Sequence, residues 1–237
     1  MTNLKDMDIV YVVKDAVYNE ELRYSLRSVE KNFPHRKVWL YGGRPIGVHP
    51  DERVIVIQEG KRKWDRVRNM LYKIATNDDI TEDFVLFNDD FFVMKPVIDL
   101  PIFADGTLEK LCARIELANG NRQTQYTHEL KRTIQWLWDN KCDTMNFELH
   151  LPMMFNRGML KDLIEKTPEQ RGTRSLYGNV FFLEDGTVSH KDVKIYDSMT
   201  APNEDCDFLS TDDESFRNGK VGEFIRGRFP DKSKFER

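Results

Sequence analysis

Three polar residues interrupt an apolar run in the first half of the chain. Asn88, Asp89 and Asp90 lie inside FVLFNDDFFVM, the segment from Phe84 to Met94. Ionised carboxylates within such a run are very unfavourable unless a cation or hydrogen bonds compensate them. Oxygen ligands hold Mg²⁺ or Mn²⁺, and a bound ion can bridge the phosphates of a nucleotide. The motif predicts a metal-assisted nucleotide site with Asp90 and Asn88 as ligands. The alternative is a tight turn, which Asn and Asp also favour.

The segments around this motif alternate between strand and helix patterns. Short β-branched and aromatic runs predict strands at Asp8–Val13, Lys37–Tyr41, Arg53–Gln58 and Phe84–Phe87. Apolar residues at helical spacing predict helices after the first and third of these strands. This order predicts an α/β fold with a mostly parallel, Rossmann-like sheet flanked by helices. Ligands of such sheets bind beyond the carboxyl ends of the strands.

Three segments follow predicted strands and so meet at that edge of the sheet: Lys14–Tyr18, Gly42–Pro45 and Asn88–Asp90. Lys14 and Asp15, directly after the first strand, are candidates for binding a nucleotide donor. Arg23 and Arg27 follow in the first predicted helix, four residues apart and therefore on one face. Because a guanidinium suits phosphate geometry, both are donor-binding candidates. The alternative is a solvated helix surface whose arginines pair with neighbouring glutamates.

A cation-rich stretch extends from Lys61 to Lys73. Within it, Arg66 and Asn69 lie three residues apart and precede the strand of Asn88, so they are candidates for contacting the ribose or phosphate of the donor. The first alternative is that this stretch, with its aromatic residues, faces a polyanionic acceptor such as DNA. The second is that most of these cations are only solvated.

The second half of the chain holds candidates for acid–base chemistry. His150 in ELHLP is a candidate metal ligand or acid/base residue, although a lone histidine after an apolar stretch is usually structural. His190 is an alternative metal ligand. Glu148 lies on the same side as His150 if the segment is extended. Glu148 is therefore a weaker candidate for the base that deprotonates an acceptor hydroxyl.

Asp213 in FLSTDDESF repeats the apolar-then-acidic design of the Asn88–Asp90 motif. One interpretation makes it a catalytic or acceptor-binding carboxylate. The other is helix capping, with Ser210 or Thr211 as the N-cap and Asp213 in the first turn.

The bulk composition fits a single compact domain. The chain has 237 residues, and 40% of them are hydrophobic, which is enough for a sizeable core. We expect residues 1–94 to form a nucleotide-binding half and residues 95–237 a more helical acceptor half. The formal net charge of −4 argues against a dedicated nucleic-acid binder, although it permits a local basic groove.

Cysteine usage and hydropathy bear on the cellular compartment. The three cysteines are widely spaced, odd in number and without a CxxC pair, which predicts reduced thiols. The first residues are polar, and no apolar run approaches the roughly 20 residues that span a bilayer. We therefore expect a soluble, cytoplasmic protein without a membrane span.

Four blocks carry a resemblance to a known family: DIVYVV from Asp8, ELRYSLRSVEK from Glu21, FNDDFF from Phe87 and ELHLPMMF around His150. In combination they resemble the Stealth-type proteins, which are sugar-phosphate transferases of capsule synthesis and of lysosomal enzyme tagging. The resemblance spans roughly Asp8 to Ile164 in separate blocks. It implies a GT-A-like nucleotide-sugar fold in which Asn88 and Asp90 occupy the places of the Asp-x-Asp metal motif.

One block departs from the family pattern. VKDA, from Val13 to Ala16, stands where Stealth proteins have a Trp-Val-Asn-Gly-like loop. Small glycosyltransferases of phage and bacterial gene clusters are also similar in size and layout. The leading prediction is a glycosyltransferase that uses Mn²⁺ or Mg²⁺ and a catalytic Asp89. It would move a sugar from a nucleotide-sugar donor to a glycan or to a hydroxylated DNA base. The alternatives are a Stealth-like hexose-1-phosphate transferase of surface polysaccharide synthesis and a non-catalytic carbohydrate-binding protein.

Overall fold

The computed structural model describes residues 3–57, 63–182 and 186–237. Gln58, at the end of the predicted third strand, lies outside the described residues. So do Lys61 and Arg62, which begin the cation-rich stretch.

Strands and helices alternate along the first half of the chain, and helices dominate the second half. The strands are β1 (Asp8–Val13), β2 (Val38–Gly42), β3 (Glu52–Ile55), β4 (Asp83–Asn88), β5 (Phe91–Val93), β6 (Phe103–Ala104), β7 (Met153–Asn156), β8 (Val188–Ser189), β9 (Lys194–Ile195) and β10 (Phe208–Thr211). The helices are α1 (Glu20–Asn32), α2 (Lys63–Ala75), α3 (Leu108–Ala118), α4 (Gln125–Asp139), α5 (Arg157–Lys166), α6 (Thr173–Phe181), α7 (Asp213–Asn218) and α8 (Lys220–Arg228).

The central sheet has the strand order β3-β2-β1-β4-β7. Strand β1 pairs in parallel with β2 and β4, β2 pairs in parallel with β3, and β7 joins the edge of β4 antiparallel. The predicted α/β fold with a mostly parallel sheet is therefore confirmed. In this register Val13 lies opposite Gly42, and Val12 lies opposite Asn88. The segments that follow β1, β2 and β4 consequently leave the sheet at the same edge.

Both faces of the central sheet are covered, as the apolar run Phe84–Phe87 within β4 requires. Successive side chains of a strand point to opposite faces. Phe84 and Leu86 belong to the apolar cluster formed with α2 and α4–α6, whereas Val85 and Phe87 pack with the buried side of α1. All four side chains are at most 4% exposed. Truncation of such a residue, for example Phe87→Ala, costs about 3–5 kcal/mol of stability.

Helix α1 begins and packs as its sequence indicates. Asn19 is its N-cap, and the Asn19 side chain accepts a hydrogen bond of 2.9 Å from the backbone N–H of Leu22. Leu22, Leu26 and Val29 are fully buried against the sheet. The helix therefore fixes the chain that leaves the ligand edge after β1.

A second, smaller sheet follows the motif directly. Its strand order is β5-β10-β9, with β10 antiparallel to β5 and parallel to β9. Residues from near the end of the chain therefore pair with the strand that follows Asp90. Helices α7 and α8 cover this sheet, and the rings of Phe92 and Phe216 stack at 5.6 Å. The short strands β6 and β8 form a separate parallel pair.

The end of the chain folds back onto α1 through a buried ion pair. The Glu236 side chain accepts hydrogen bonds from Arg27 Nε at 2.6 Å and from Arg23 Nε at 2.8 Å. Arg27 Nη1 also donates to the carbonyls of Phe229 and Pro230. Arg27 is therefore not part of the solvated helix surface considered from the sequence, whereas the Arg23 side chain is 38% exposed.

A separate observation concerns membranes. In the parts of the chain that the structure describes, no helix has both the length and the apolar character needed to cross a bilayer.

Candidate functional site

The segments after β1 and β2 meet at the sheet edge as predicted, and Asn88, at the end of β4, lies opposite Val12 of β1. The backbone N–H of Gly43 donates to the carbonyl of Val13 at 3.1 Å, and that of Ile46 donates to the carbonyl of Val17 at 2.9 Å. An ideal Cβ at Gly43 would lie 2.5 Å from the carbonyl oxygen of Lys14. Only glycine permits this close approach, so the loops after β1 and β2 are packed backbone to backbone.

Asp89 is bound to the N-terminus of α1. Asn19 uses its side-chain oxygen to cap the helix and donates from Nδ2 to Asp89 Oδ2 at 2.5 Å. Burial, and then the charge of Asp90, raise the pKa of Asp89 to about 6, although the hydrogen bond from Asn19 acts in the opposite direction. Asp89 therefore changes its charge close to neutral pH.

Asp90 forms an ion pair with Lys194 at the centre of the site. Lys194 Nζ lies 2.7 Å from Asp90 Oδ2, and the two side chains are 13% and 15% exposed. The other carboxylate oxygen, Asp90 Oδ1, is buried and has no hydrogen-bond partner among the described residues. Buried polar atoms are nearly always satisfied by a partner or a bound species. Asp90 Oδ1 is therefore a candidate ligand atom.

Lys194 belongs to a short polar array that begins just before β9. Asp192, Lys194 and Tyr196 are spaced two apart, which places them on one face of an extended segment. Asp192 accepts hydrogen bonds from the His150 backbone N–H at 2.9 Å and is 2.8 Å from His150 Nδ1. Tyr196 is 61% exposed, with its ring centroid 6.5 Å from that of His150. The array connects Asp90, His150 and an exposed aromatic ring.

His150 is held in a defined orientation by Asp192. Burial acts to raise the pKa of Asp192, but the hydrogen bonds and charge of His150 outweigh it and lower that pKa. An ionised Asp192 can only accept, so Nδ1 of His150 is the donor, and whenever the ring carries a single proton its Nε2 is the acceptor. This arrangement suits a general base.

Glu148 and Arg174 stabilise the backbone on either side of His150. Glu148 Oε1 accepts a hydrogen bond of 2.9 Å from the backbone N–H of Ser175, in the first turn of α6. Arg174 Nη1 donates to the carbonyls of Leu149 and Leu151 at 2.7 and 2.8 Å. Burial raises the pKa of Glu148, opposed by the Ser175 N–H and by Arg174. Arg174 Nη2 is buried without a hydrogen-bond partner among the described residues.

Glu21 and Asp213 add two more acids at the rim of the site. Thr211 donates to Glu21 Oε1 at 2.6 Å, and Lys14 Nζ lies 3.2 Å from Asp213 Oδ2. Burial raises the pKa of Glu21 to about 8, partly offset by the Thr211 hydroxyl and reinforced by the charges of neighbouring aspartates. Lys14 and Asp213 are both largely exposed.

The capping interpretation of FLSTDDESF needs a correction. The N-cap of α7 is Asp212, whose side chain accepts from the Ser215 N–H at 2.8 Å in a capping box. Ser210 and Thr211 lie in β10, where strand pairing with β5 and β9 fixes their backbone, so neither of them caps the helix.

Other predicted site residues are spread around this centre. Asp15 is exposed beside Lys14, and Asn88 lies at the end of β4 opposite Val12. Arg66 and Asn69 lie on α2, half-buried and exposed respectively. Arg23 and Arg27 bind Glu236 and are not included in the site. His190 is half-buried, with its ring 5.0 Å from that of Phe103.

A divalent metal fits this arrangement in a limited way. Among the described residues, no three His, Cys, Asp or Glu side chains are grouped to hold an ion. Magnesium, however, is commonly held by one or two carboxylates together with substrate phosphates and water. Asp90 Oδ1 suits that role, with Asn88 two residues earlier at the end of β4. His150 Nδ1 is occupied by Asp192, which leaves Nε2 for any ligand.

Sequence reasoning missed several residues of this site: Asn19 as the partner of Asp89, together with Arg174, Asp192, Lys194 and Tyr196. Alternation of polar and apolar residues in DVKIY, from Asp192 to Tyr196, was the available signal. It is short, and nothing local indicates that this strand lies beside Asp90.

Comparison with known proteins adds little. Neither a family model nor a curated protein matches the sequence. A solved structure of the apo-form glycosyltransferase GlyE from Streptococcus pneumoniae TIGR4 is 12% identical, with a TM-score of 0.36 over 78% of this chain and 45% of that one. A second GlyE structure is 12% identical, with a TM-score of 0.35 over 95% and 50% of the two chains. The chain spans about half the length of these glycosyltransferases. Similarity this low carries no argument, and the resemblance to Stealth-type proteins stays a hypothesis.

Proposed function

We propose that the chain is a glycosyltransferase that uses a nucleotide-sugar donor. The observation that carries the proposal is Asp90, a buried carboxylate with one unpartnered oxygen, at the sheet edge where parallel α/β folds bind ligands. Asn88, Asp89 and Lys14 surround the same edge. A tight turn alone would not account for a buried carboxylate that is only half satisfied.

The donor side of the reaction follows from these residues. Asp90 Oδ1 and Asn88 would hold Mn²⁺ or Mg²⁺, and the ion would neutralise charge on the departing nucleoside diphosphate. Asp89, which accepts a hydrogen bond from Asn19, would also accept hydrogen bonds from the donor sugar. Lys14 and Asp15, on the loop after β1, are proposed to contact the donor as well.

The acceptor side is assigned to His150. Its Nε2 takes the proton of the acceptor hydroxyl as the hydroxyl oxygen attacks the anomeric carbon. The bond from that carbon to the phosphate oxygen breaks, and its electron pair leaves with the nucleoside diphosphate. Asp192 stabilises the imidazolium that forms. The acceptor is proposed to be a glycan or a hydroxylated DNA base. Glu148 and Asp213 belong to the surroundings of this reaction, with Glu148 turned to the N-terminus of α6.

The released nucleotide tests this proposal. The chain is incubated with UDP-, GDP-, TDP- and CMP-sugars and Mn²⁺, and products are separated by chromatography. Glycosyl transfer or slow donor hydrolysis releases a nucleoside diphosphate from one of the first three donors. Asp90→Asn is expected to reduce the rate at least about 100-fold, because an ionised oxygen ligand is lost. Asp205→Asn, at an exposed carboxylate paired with Lys95, is the matched control and should leave the rate unchanged.

The other outcomes identify the rivals. Release of a nucleoside monophosphate from a diphosphate donor would support hexose-1-phosphate transfer, since attack then occurs at phosphorus. No release from any donor, together with sugar binding, would leave a carbohydrate-binding protein. Activity on duplex DNA that falls steeply with salt would identify DNA as the acceptor.

A further inference from the structure

Lys194 lies at the centre of the candidate donor site, but the reaction outlined above gives it no role. We propose that Lys194 is the chain's own cation for the donor diphosphate, which allows nucleotides to bind when divalent metal is removed. The inference rests on the proposed function.

Strand pairing places Lys194 beside the motif. Ser210 in β10 lies opposite Lys194 on one side and opposite Phe91 on the other. Phe91 follows Asp90 directly in the chain. The pairing of β9 with β10 and of β10 with β5 therefore brings Lys194 close to Asp90. The pair is 2.7 Å apart and mostly excluded from water. Lys194 is therefore held by the fold at this point, unlike a mobile surface lysine.

Lys194 has unused hydrogen-bonding capacity. An ammonium has three N–H donors. Among the described residues Lys194 Nζ donates one hydrogen bond, to Asp90 Oδ2, and lies 5.6 Å from the centre of the Tyr196 ring. Two N–H groups therefore remain to bind phosphate oxygens, a role that suits lysine as a point charge.

Two other buried cations of the described chain, Arg27 and Arg68, are used differently. Arg27 distributes its donors over Glu236 and two backbone carbonyls. Arg68 donates to the carbonyls of Ile164, Thr167 and Gln170, where it joins α2 to the α5 end. Both direct their donors to groups of the chain on several sides. Lys194 instead pairs with a carboxylate whose other oxygen is unpartnered among the described residues, which suits a ligand-binding cation.

The competing explanation is that Lys194 only neutralises Asp90. In a variant without Lys194, nucleotide binding would then weaken because the uncompensated Asp90 carboxylate repels the phosphates, and not because a contact to phosphate is lost. A double variant separates the two explanations. In Asp90→Asn/Lys194→Met the negative charge disappears together with the lysine. If Lys194 only neutralises Asp90, this double variant should bind nucleotide as the parent does.

The experiment measures binding of UDP, GDP, CDP and TDP by calorimetry, once with Mn²⁺ and once with EDTA. The parent is expected to bind one of them in EDTA within about tenfold of its affinity with Mn²⁺. Lys194→Met should lose about tenfold or more in EDTA and lose less with Mn²⁺, because the ion can take over the charge. Lys194→Arg should keep most of the binding in EDTA. Lys95→Met, at a half-exposed lysine paired with Asp205 and Asp207, is the matched control.

The possible results separate the two proposals. If the parent binds no nucleotide in either buffer, the proposed function fails and the inference fails with it. If the parent binds nucleotide with Mn²⁺ but not in EDTA, or Lys194→Met binds as the parent does in EDTA, the inference alone is overturned. Parent-like binding in EDTA by the double variant also overturns it. Melting temperatures of all variants confirm that each one is folded.

Discussion

At the scale of single residues, the site is a set of acids whose charges depend on burial. Asp89 and Glu21 both have raised pKa values, about 6 and about 8, and both lie near Asp90. Asp90 itself is paired with Lys194. A nucleotide diphosphate is anionic, so its approach is favoured when these buried carboxyls hold protons or are matched by cations.

The raised pKa of Glu21 predicts a pH-dependent stability. Between about pH 4.5 and 8 the folded chain holds a proton on Glu21 that the unfolded chain has released. The free energy of unfolding should therefore fall as pH rises through this window. Glu21→Gln keeps an acceptor for Thr211 but cannot ionise, so its stability relative to the parent should increase from pH 5.5 to pH 8. Urea denaturation at both pH values measures this.

The control for that experiment is Glu20→Gln, one residue earlier in α1 and half-exposed. Its stability relative to the parent should change little with pH. A constant difference between Glu21→Gln and the parent across the window would contradict the account of Glu21.

Loss of the hydrogen bond between Asp192 and His150 is expected to impair catalysis and to leave donor binding intact. In Asp192→Asn the ring of His150 is no longer held with Nε2 as its acceptor. The kcat for transfer should fall about 100-fold or more, with the donor KM nearly unchanged. Asp197→Asn, in the neighbouring loop, should have little effect because its carboxylate binds only local groups in the described chain. A rise of about 100-fold in the donor KM, with kcat unchanged, would argue against His150 as the base.

At the scale of elements, the proposed donor site depends on the loops after β1 and β2, which pack backbone to backbone at Gly43. Gly43→Ala would place a methyl group against the backbone of Lys14 and Asp15. The loop after β1 must then shift, so donor affinity should fall at least about tenfold while the fold is retained, since a displacement of about 1 Å can cost 100-fold in a site. Nucleotide binding by calorimetry measures the effect.

Gly227→Ala is the matched control for that substitution. A Cβ there would meet nothing within 4 Å, and Gly227 lies in α8. It should leave nucleotide binding unchanged and stabilise the chain by up to about 1 kcal/mol through helix propensity. Parent-like nucleotide binding by Gly43→Ala would show that the β1–β2 loop contact is not part of the donor site.

The elements that could be predicted from the sequence are those with strong local patterns. IVYVV, from Ile9 to Val13, and FVLF are continuous apolar runs, and Asn19 with Leu22 and Leu26 marks a capped helix, so β1, β4 and α1 follow directly. Strands β5, β9 and β10 are only two to four residues long. The pairing of β10 with β5 joins residues more than 100 positions apart, which periodicity cannot reveal. Lys194 and Asp192 were missed for that reason, whereas Asn88–Asp90 stands out because it interrupts an apolar run.

At the scale of the whole molecule, the two halves of the sequence form one interleaved structure. Strand β7 completes the central sheet, β10 pairs with β5, and Glu236 closes the chain end onto α1. The site combines residues that lie far apart in the sequence, with Lys14 from the first half of the chain paired to Asp213 from the second. We nevertheless expect the stability of the chain end to be separable from the chemistry at the sheet edge. Glu236 and its arginines hold the chain end, whereas Asp90 and Lys194 lie at the sheet edge.

Glu236→Gln tests that separation. Burial acts to raise the pKa of Glu236, but the hydrogen bonds of Arg27, Ser233 and Arg23 lower it to about 2, so this carboxylate stabilises the fold above pH 4.5 and loses that effect as pH falls towards 2. Removing one partner of the buried pair should cost about 3 kcal/mol and lower the Tm by about 6–12 °C. The kcat of any transfer should be unchanged.

The control is Glu30→Gln, at an exposed contact with the backbone N–H of Lys234 in the same chain end. Its Tm should change by about 2 °C at most. A Tm for Glu236→Gln equal to that of Glu30→Gln would show that the buried ion pair does not hold the chain end.

The most direct test of the central claim, that a nucleotide-sugar donor binds at Asn88–Asp90, is a thermal-shift measurement. The parent and Asp90→Asn are heated with UDP-, GDP-, CMP- and TDP-sugars in the presence of Mn²⁺. At 100 times its Kd, a donor should raise the Tm of the parent by about 5–10 °C, because it binds only the folded chain. Asp90→Asn should lose most of that shift. An equal shift in the two proteins would move the donor site elsewhere, and no shift with any donor would contradict the claim.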